Sequence, residues 1–101
     1  MTRFTVVWDV DVESQFINAW TTGNATTRTF LTDIANWVDA NLAVDPELLG
    51  FAWSEPNTYI ATVPTQFASA RVSVTYQVRA EDRLVRIVRL LIRGQQTDAS
   101  S

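Results

Sequence analysis

All of the positive charge in this 101-residue chain comes from eight arginines; there is no lysine, histidine or cysteine. A guanidinium offers a planar fork of donors that grips phosphate or carboxylate at two points, and it stays protonated throughout the usable pH range. It supplies charge and geometry but carries no proton. Without histidine or cysteine there can be no Ser-His or Cys-His pair, no thiolate zinc site and no disulfide. Without lysine there is no Schiff base. Only carboxylates remain as metal ligands, which suits magnesium or calcium, and no cofactor is expected.

The arginines are unevenly placed. Residues 1–66 hold Arg3 and Arg28 against eight acids, whereas residues 67–101 hold six arginines against Glu81, Asp82 and Asp98. A chain of net charge −3 therefore has a locally positive C-terminal third, able to attract a polyanion despite the acidic total. Arg71, Arg86, Arg89 and Arg93 are the candidate recognition residues, for a phosphate backbone or for an acidic protein segment. The competing reading is that arginines on one strand face simply keep a sheet soluble and discourage edge pairing. RNA cleavage would need a cation to stabilise the transition state, as Arg71, Arg89 or Arg93 could, and a separate proton carrier. Only Tyr76, Glu81 or another carboxylate is available for the second task, and Tyr76 falls on the apolar side of its segment, where a core role is expected.

Four tryptophans could suggest a stacking platform. Trp20 and Trp37 lie on helical apolar stripes and are expected in the core, which leaves Trp53, among Ser54, Glu55 and Pro56, as the candidate for an exposed binding role. Asp9, Asp11 and Glu13 are spaced like a carboxylate cluster, but helix capping and the helix dipole account for them, and no metal site is expected.

The elements that must position these residues follow from periodicity. Phe4 to Trp8 is β-branched and aromatic, and Asp9 or Asp11 can cap a helix over Asp11 to Trp20, in which Val12, Phe16 and Trp20 recur every fourth residue. Thr21 to Asn24 interrupts it. A second helix runs from about Ala25 to Ala43 on a stripe of Phe30, Ile34, Trp37, Val38, Asn41 and Leu42, and Asp45-Pro46 ends it. Residues 48–57 read as an irregular connection. Thr58 to Val63 is a strand. Arg71 to Val78 alternates, with Val72, Val74, Tyr76 and Val78 on one side, and a turn at Ala80 to Asp82 leads into an apolar strand from Leu84 to Ile92. The expected fold is α+β, β-α-α-β-β-β, an antiparallel helical hairpin on one face of a small, mainly antiparallel sheet. It forms one domain over residues 1–94, and the polar stretch 95–101 is expected to be a disordered tail. No signal-peptide pattern and no apolar run long enough to span a bilayer occurs, so a cytoplasmic location without membrane contact is expected.

In this order and spacing the chain resembles the RelE/ParE toxin superfamily of type II toxin-antitoxin, or plasmid stabilisation, systems. The resemblance rests on Val6 to Glu13, Ile17-Asn18-Ala19-Trp20, Ile34 with Trp37-Val38-Asp39 and Leu42, Asp45-Pro46, Leu49-Gly50, Val74 to Val78, the turn at 81–83, and Val85 to Leu90. It covers about residues 4 to 93. It implies a toxin neutralised by a cognate antitoxin, acting either on DNA gyrase or, as a ribosome-dependent mRNA endoribonuclease, on ribosome-bound message. RelE-like nucleases tend to be basic and to use arginine or lysine with a histidine, tyrosine or glutamate near the C-terminal strands, and this chain has no lysine or histidine and no tyrosine after Tyr76. The residues thus favour binding of a target or antitoxin through Arg71, Arg86, Arg89, Arg93 and Trp53 over catalysis. A toxin-derived binding module without toxicity is the further alternative. The helical hairpin or a sheet edge offers a surface for a homodimer.

Overall fold

A computed structural model describes residues 3–53, 55–64 and 70–94. The polar stretch 95–101 lies outside the described residues. The chain runs β1 (Thr5–Trp8), α1 (Val10–Thr22), α2 (Ala25–Leu42), α3 (Pro46–Leu49), β2 (Phe51–Ala52), β3 (Thr58–Val63), β4 (Ala70–Arg79) and β5 (Leu84–Gly94). This is the α+β arrangement expected, with two additions inside the segment read as irregular. Pro46 occupies the first position of a one-turn helix, where its fixed φ suits the helix and its missing N–H costs nothing. Phe51 and Ala52 then pair with Ile60 and Tyr59 as a short edge strand.

The sheet has the order β1-β5-β4-β3-β2, with β1 parallel to β5 and every other pair antiparallel. Side chains alternate across a strand, so cross-strand partners share a face. On one face Ala61, Val63, Val72, Val74, Tyr76, Val78, Val85 and Ile87 pack against Val12, Ile34, Val38 and Leu42 of the helices. Each of the valine, leucine and isoleucine side chains contributes about 1.5–3 kcal/mol by leaving water. α2 is the principal packing helix, burying Leu31, Ile34, Val38 and Leu42, whereas α1 fully buries only Val12. The expected stripe omitted Leu31 and overstated Trp20. The Trp20 indole is 38% exposed at the end of α1, beneath the Arg28 guanidinium, whose Nε donates to the Trp20 carbonyl at 3.0 Å. Trp37 is half-buried against the core as expected.

The helix turn depends on a close approach. A Cβ on Gly23 would meet Thr27 Cγ2 at 2.6 Å, and the adjacent Asn24 caps α2 by accepting from the Thr27 N–H at 2.9 Å.

The other fixed point is Tyr76. Its ring is fully buried, stacked on Tyr59, and its hydroxyl donates to the Pro46 carbonyl at 2.6 Å, tying α3 to the middle of β4. Gly50 leaves room for that hydroxyl, since a Cβ there would lie 2.6 Å from it. Burial, reinforced by neighbouring Tyr59 and opposed by a hydrogen bond from the Gly50 backbone, pushes the Tyr76 phenol up from 10.0 to about 12. A group whose folded pKa is raised adds stability below its unfolded pKa, and this stability is lost as pH climbs through the folded value. That rise corresponds to roughly 3 kcal/mol, lost between about pH 10 and pH 12. At pH 7, Tyr76→Phe should lower unfolding stability by about 1–2 kcal/mol through the lost hydrogen bond. In urea titrations near pH 11.5 the gap should close or reverse; a constant gap at both pH values would show that the phenol does not titrate with unfolding.

Candidate functional site: an arginine-bearing sheet face

The face of the sheet away from the helices carries the chemistry. Among the described residues no strand contains a carboxylate, while β4 holds Arg71 and Arg79 and β5 holds Arg86, Arg89 and Arg93. The helices are the reverse: α1, α2 and α3 carry Asp11, Glu13, Asp33, Asp39 and Glu47 against Arg28 alone. The charge asymmetry read along the sequence is therefore an asymmetry between two layers.

Register decides which arginines meet. Arg86 pairs with Gln77 and Ile87 with Tyr76, but Arg89 pairs with Thr75, leaving Val88 as an extra residue where the register shifts. Strict alternation would put Arg86 and Arg89, three apart, on opposite faces. The bulge at Val88 resets the phase, so both face outward while Ile87 and Leu90 stay on the helix side. Arg93, four residues beyond Arg89, shares that outward face and lies directly opposite Arg71. Arg71, Arg93, Ser73, Thr62 and Leu91 line a shallow hollow of about 450 Å³, together with Val72.

The four candidate arginines differ in their partners. Arg86 Nη2 donates to Asp9 Oδ1 at 3.3 Å, and the same oxygen accepts from the Val10 N–H at 2.8 Å, capping α1. Arg86 thus ties β5 to the β1–α1 junction. Among the described residues, no carboxylate lies within ion-pair distance of Arg71, Arg89 or Arg93. These three exposed guanidinia, with Arg79 at the far end of β4, which likewise has no ion pair among the described residues, are the free charge of the face.

The aromatic candidate is at the edge. Trp53 is 57% exposed, and its N–H donates to the Thr58 carbonyl at 2.8 Å, continuing the β2–β3 register. The reading of the sequence missed its neighbour Phe51, which is 80% exposed. Phe51 pairs with Ile60, Ile60 with Thr75 and Thr75 with Arg89, so one row across the sheet runs from an aromatic ring to a guanidinium. The alternation Phe51-Ala52-Trp53 before the Glu55-Pro56-Asn57 turn was the signal available for it.

The proposed proton carriers do not converge on the arginines. Tyr76 points into the core with its hydroxyl satisfied. Glu81 sits in the turn after β4, at the end of the strand opposite Arg71, six residues beyond Thr75 and ten beyond Arg71, or on the order of 20–33 Å of extended chain. Among the described residues no group of three or more acids could hold a metal, and Asp9 acts as the expected cap.

No protein-family model and no curated protein matches the sequence. Solved structures do match. The RelBE2 toxin-antitoxin complex from Mycobacterium tuberculosis superposes with a TM-score of 0.70, at 16% identity over 91% of this chain and 100% of that one. The chain has the RelE toxin fold. The intact E. coli RelBE toxin-antitoxin complex gives 0.51 at 15% identity, covering 94% of this chain and 99% of that one. The isolated E. coli RelE toxin gives 0.50 at 16% identity, covering 95% and 87%. Identity this low speaks for the RelE architecture and leaves its chemistry to be argued from the side chains. Within that fold no helix among the described residues is long and apolar enough to cross a membrane.

The two roles of Asp9 can be separated. Asp9→Ala removes a helix cap and should cost about 1 kcal/mol, whereas Arg86→Ala removes only an exposed ion pair and should cost well under about 1 kcal/mol. Chemical denaturation of the two variants checks this; equal losses would make the ion pair, and not the cap, the important contact.

Proposed function

We propose that this chain is the toxin component of a type II toxin-antitoxin pair, acting by binding a cellular target through its open sheet face and neutralised by a cognate antitoxin. One observation carries the reading: on one face of a RelE-like fold Arg71, Arg89 and Arg93 stand exposed, and among the described residues they have no acidic partner and no proton carrier beside them. Such a face grips phosphate or carboxylate in fixed geometry and leaves it chemically unchanged. Two of the similar structures are toxins held by antitoxins, which supports an antitoxin as partner. DNA gyrase and the ribosome with its message are the candidate targets. Arg86 belongs to the same face but is engaged by Asp9, so it contributes less to binding than the other three.

A second reading is a ribosome-dependent mRNA endonuclease. It draws on the hollow in which Arg71 and Arg93 meet the hydroxyl-bearing residues Thr62 and Ser73. Charge stabilisation could be supplied there, but the proton carrier would have to come from the ribosome or the message.

Induced expression in a bacterial host tests the proposal. Growth should stop, resume when the cognate antitoxin is co-expressed, and continue unimpaired with Arg71→Ala, Arg89→Ala and Arg93→Ala combined. Normal growth of cells making the unaltered, folded chain would leave only the non-toxic binding module. Arrest undiminished by the triple substitution would remove the arginine face from the mechanism. Supercoiling and translation assays on the arrested cells then separate gyrase from the ribosome.

A further inference from the structure

β5 is paired along only part of its outer side. β1 meets it from Leu84 to Ile87, and the Asp9 N–H donates to the Ile87 carbonyl at 2.9 Å before the chain turns into α1. On the inner side β4 accompanies β5 as far as Gly94. Among the described residues nothing pairs with the outer edge of β5 from Val88 onward.

Backbone and side-chain directions share the two-residue period of a strand. Ile87 turns its carbonyl to β1 and its side chain to the helices. Past the bulge Leu90 and Ile92 take up the same phase, so their N–H and C=O groups point at the open edge. Under α1 these side chains border a hollow of about 160 Å³, lined also by Val12, Gln15, Phe16, Ala19 and Leu31, and Ile92 is 39% exposed. The opposite face of the same stretch carries Arg89 and Arg93, exposed and without an acidic partner among the described residues.

We infer that an extended segment of another protein, apolar toward the helices and acidic toward the open face, adds to this edge as a sixth strand antiparallel to β5. Its residues opposite Leu90 and Ile92 exchange backbone hydrogen bonds with the edge and send aliphatic side chains into the hollow. Those opposite Arg89 and Arg93 are carboxylates, and the one opposite Leu91 is neutral. Backbone bonds supply the affinity in such an addition, and the alternating side chains supply the choice of partner. Charge decides the occupant. A second copy of this edge, centred on Leu91, would set Arg89 against Arg93 twice, and like charges directly opposite are destabilising. A basic segment is rejected for the same reason, whereas an acidic one gains two cross-strand ion pairs. The inference concerns the edge of β5 and holds or fails independently of toxicity and of what the hollow between Arg71 and Arg93 binds.

Amide NMR of the unaltered full chain, titrated with the capped peptide Thr-Glu-Val-Thr-Val-Glu-Thr, tests it. The expected result is a saturable shift of the Leu90 and Ile92 amides, with slowed hydrogen exchange at both. Replacing the two glutamates of the peptide by lysine should weaken binding by about tenfold or more. N-methylation of the two valines, whose N–H groups face β5, should abolish binding, whereas N-methylation of the central threonine, whose N–H faces away, should leave it nearly unchanged. Only the peptide is varied, so misfolding of the protein cannot imitate these losses. Edge amides that never move, equal losses from the two methylations, or equal binding by the lysine peptide would each overturn the inference. Shifts at the Arg89 and Arg93 guanidinia with unmoved edge amides would overturn it too, while leaving the arginine face standing as a site for acids.

Discussion

A single unpaired residue in β5 governs what this sheet can do. Val88 has no partner in β4, and that bulge lets Ile87 and Leu90 both face the helices while Arg86 and Arg89 both face out. Without it, one arginine would be driven into a core lined by Tyr76, Val74 and Ile34, where an unpaired guanidinium would cost several kcal/mol. The alternative, a strand slipped by one residue, would expose the aliphatic set instead. Core and arginine face are therefore built from the same strand, and the bulge is what makes the two compatible.

The rest of the molecule is arranged around that division. Among the described residues the acids lie on the helices and in the turns, so they leave the open face basic despite the acidic total. Asp9 is the exception that reaches the sheet, capping α1 and restraining Arg86. Tyr76 shows how packing removes a residue from chemistry. The phenol that could have carried a proton holds the Pro46 carbonyl and fits against Gly50, and desolvation keeps it protonated up to about 12. What remains outward is guanidinium, hydroxyl and aromatic surface, a set suited to holding a partner.

Much of this was legible in the sequence wherever a regular period met a clear stop. β3 was read residue for residue, and the alternation of Val72, Val74, Tyr76 and Val78 assigned the faces of β4 correctly. The fold class and the helical hairpin followed from the same patterns. The breaks in periodicity were not legible. Nothing in the run Leu84 to Ile92 marks Val88 as the extra residue, because its neighbours are all β-formers and the bulge is fixed by long-range pairing with β4. The meeting of Arg71 with Arg93 likewise depends on register across a hairpin. β2 was hidden by its length: two residues have no period, and Leu48 to Trp53 resembled a loop flanked by Pro46 and Pro56. Trp20 was misplaced since a stripe indicates which way a side chain points but not how far the opposing layer extends.

The central claim is that Arg71, Arg89 and Arg93 act together as a recognition surface, distinct from the arginines spent on structure. Arginine side-chain Nε–H resonances of the full chain, followed by NMR while either a short single-stranded RNA or an acidic peptide is added, test it directly. Saturable shifts at Arg71, Arg89 and Arg93, with Arg28 held at the end of α1 unmoved, are the predicted result. Uniform small shifts across all eight arginines with both probes, or shifts centred on Arg28 and Arg3, would contradict it.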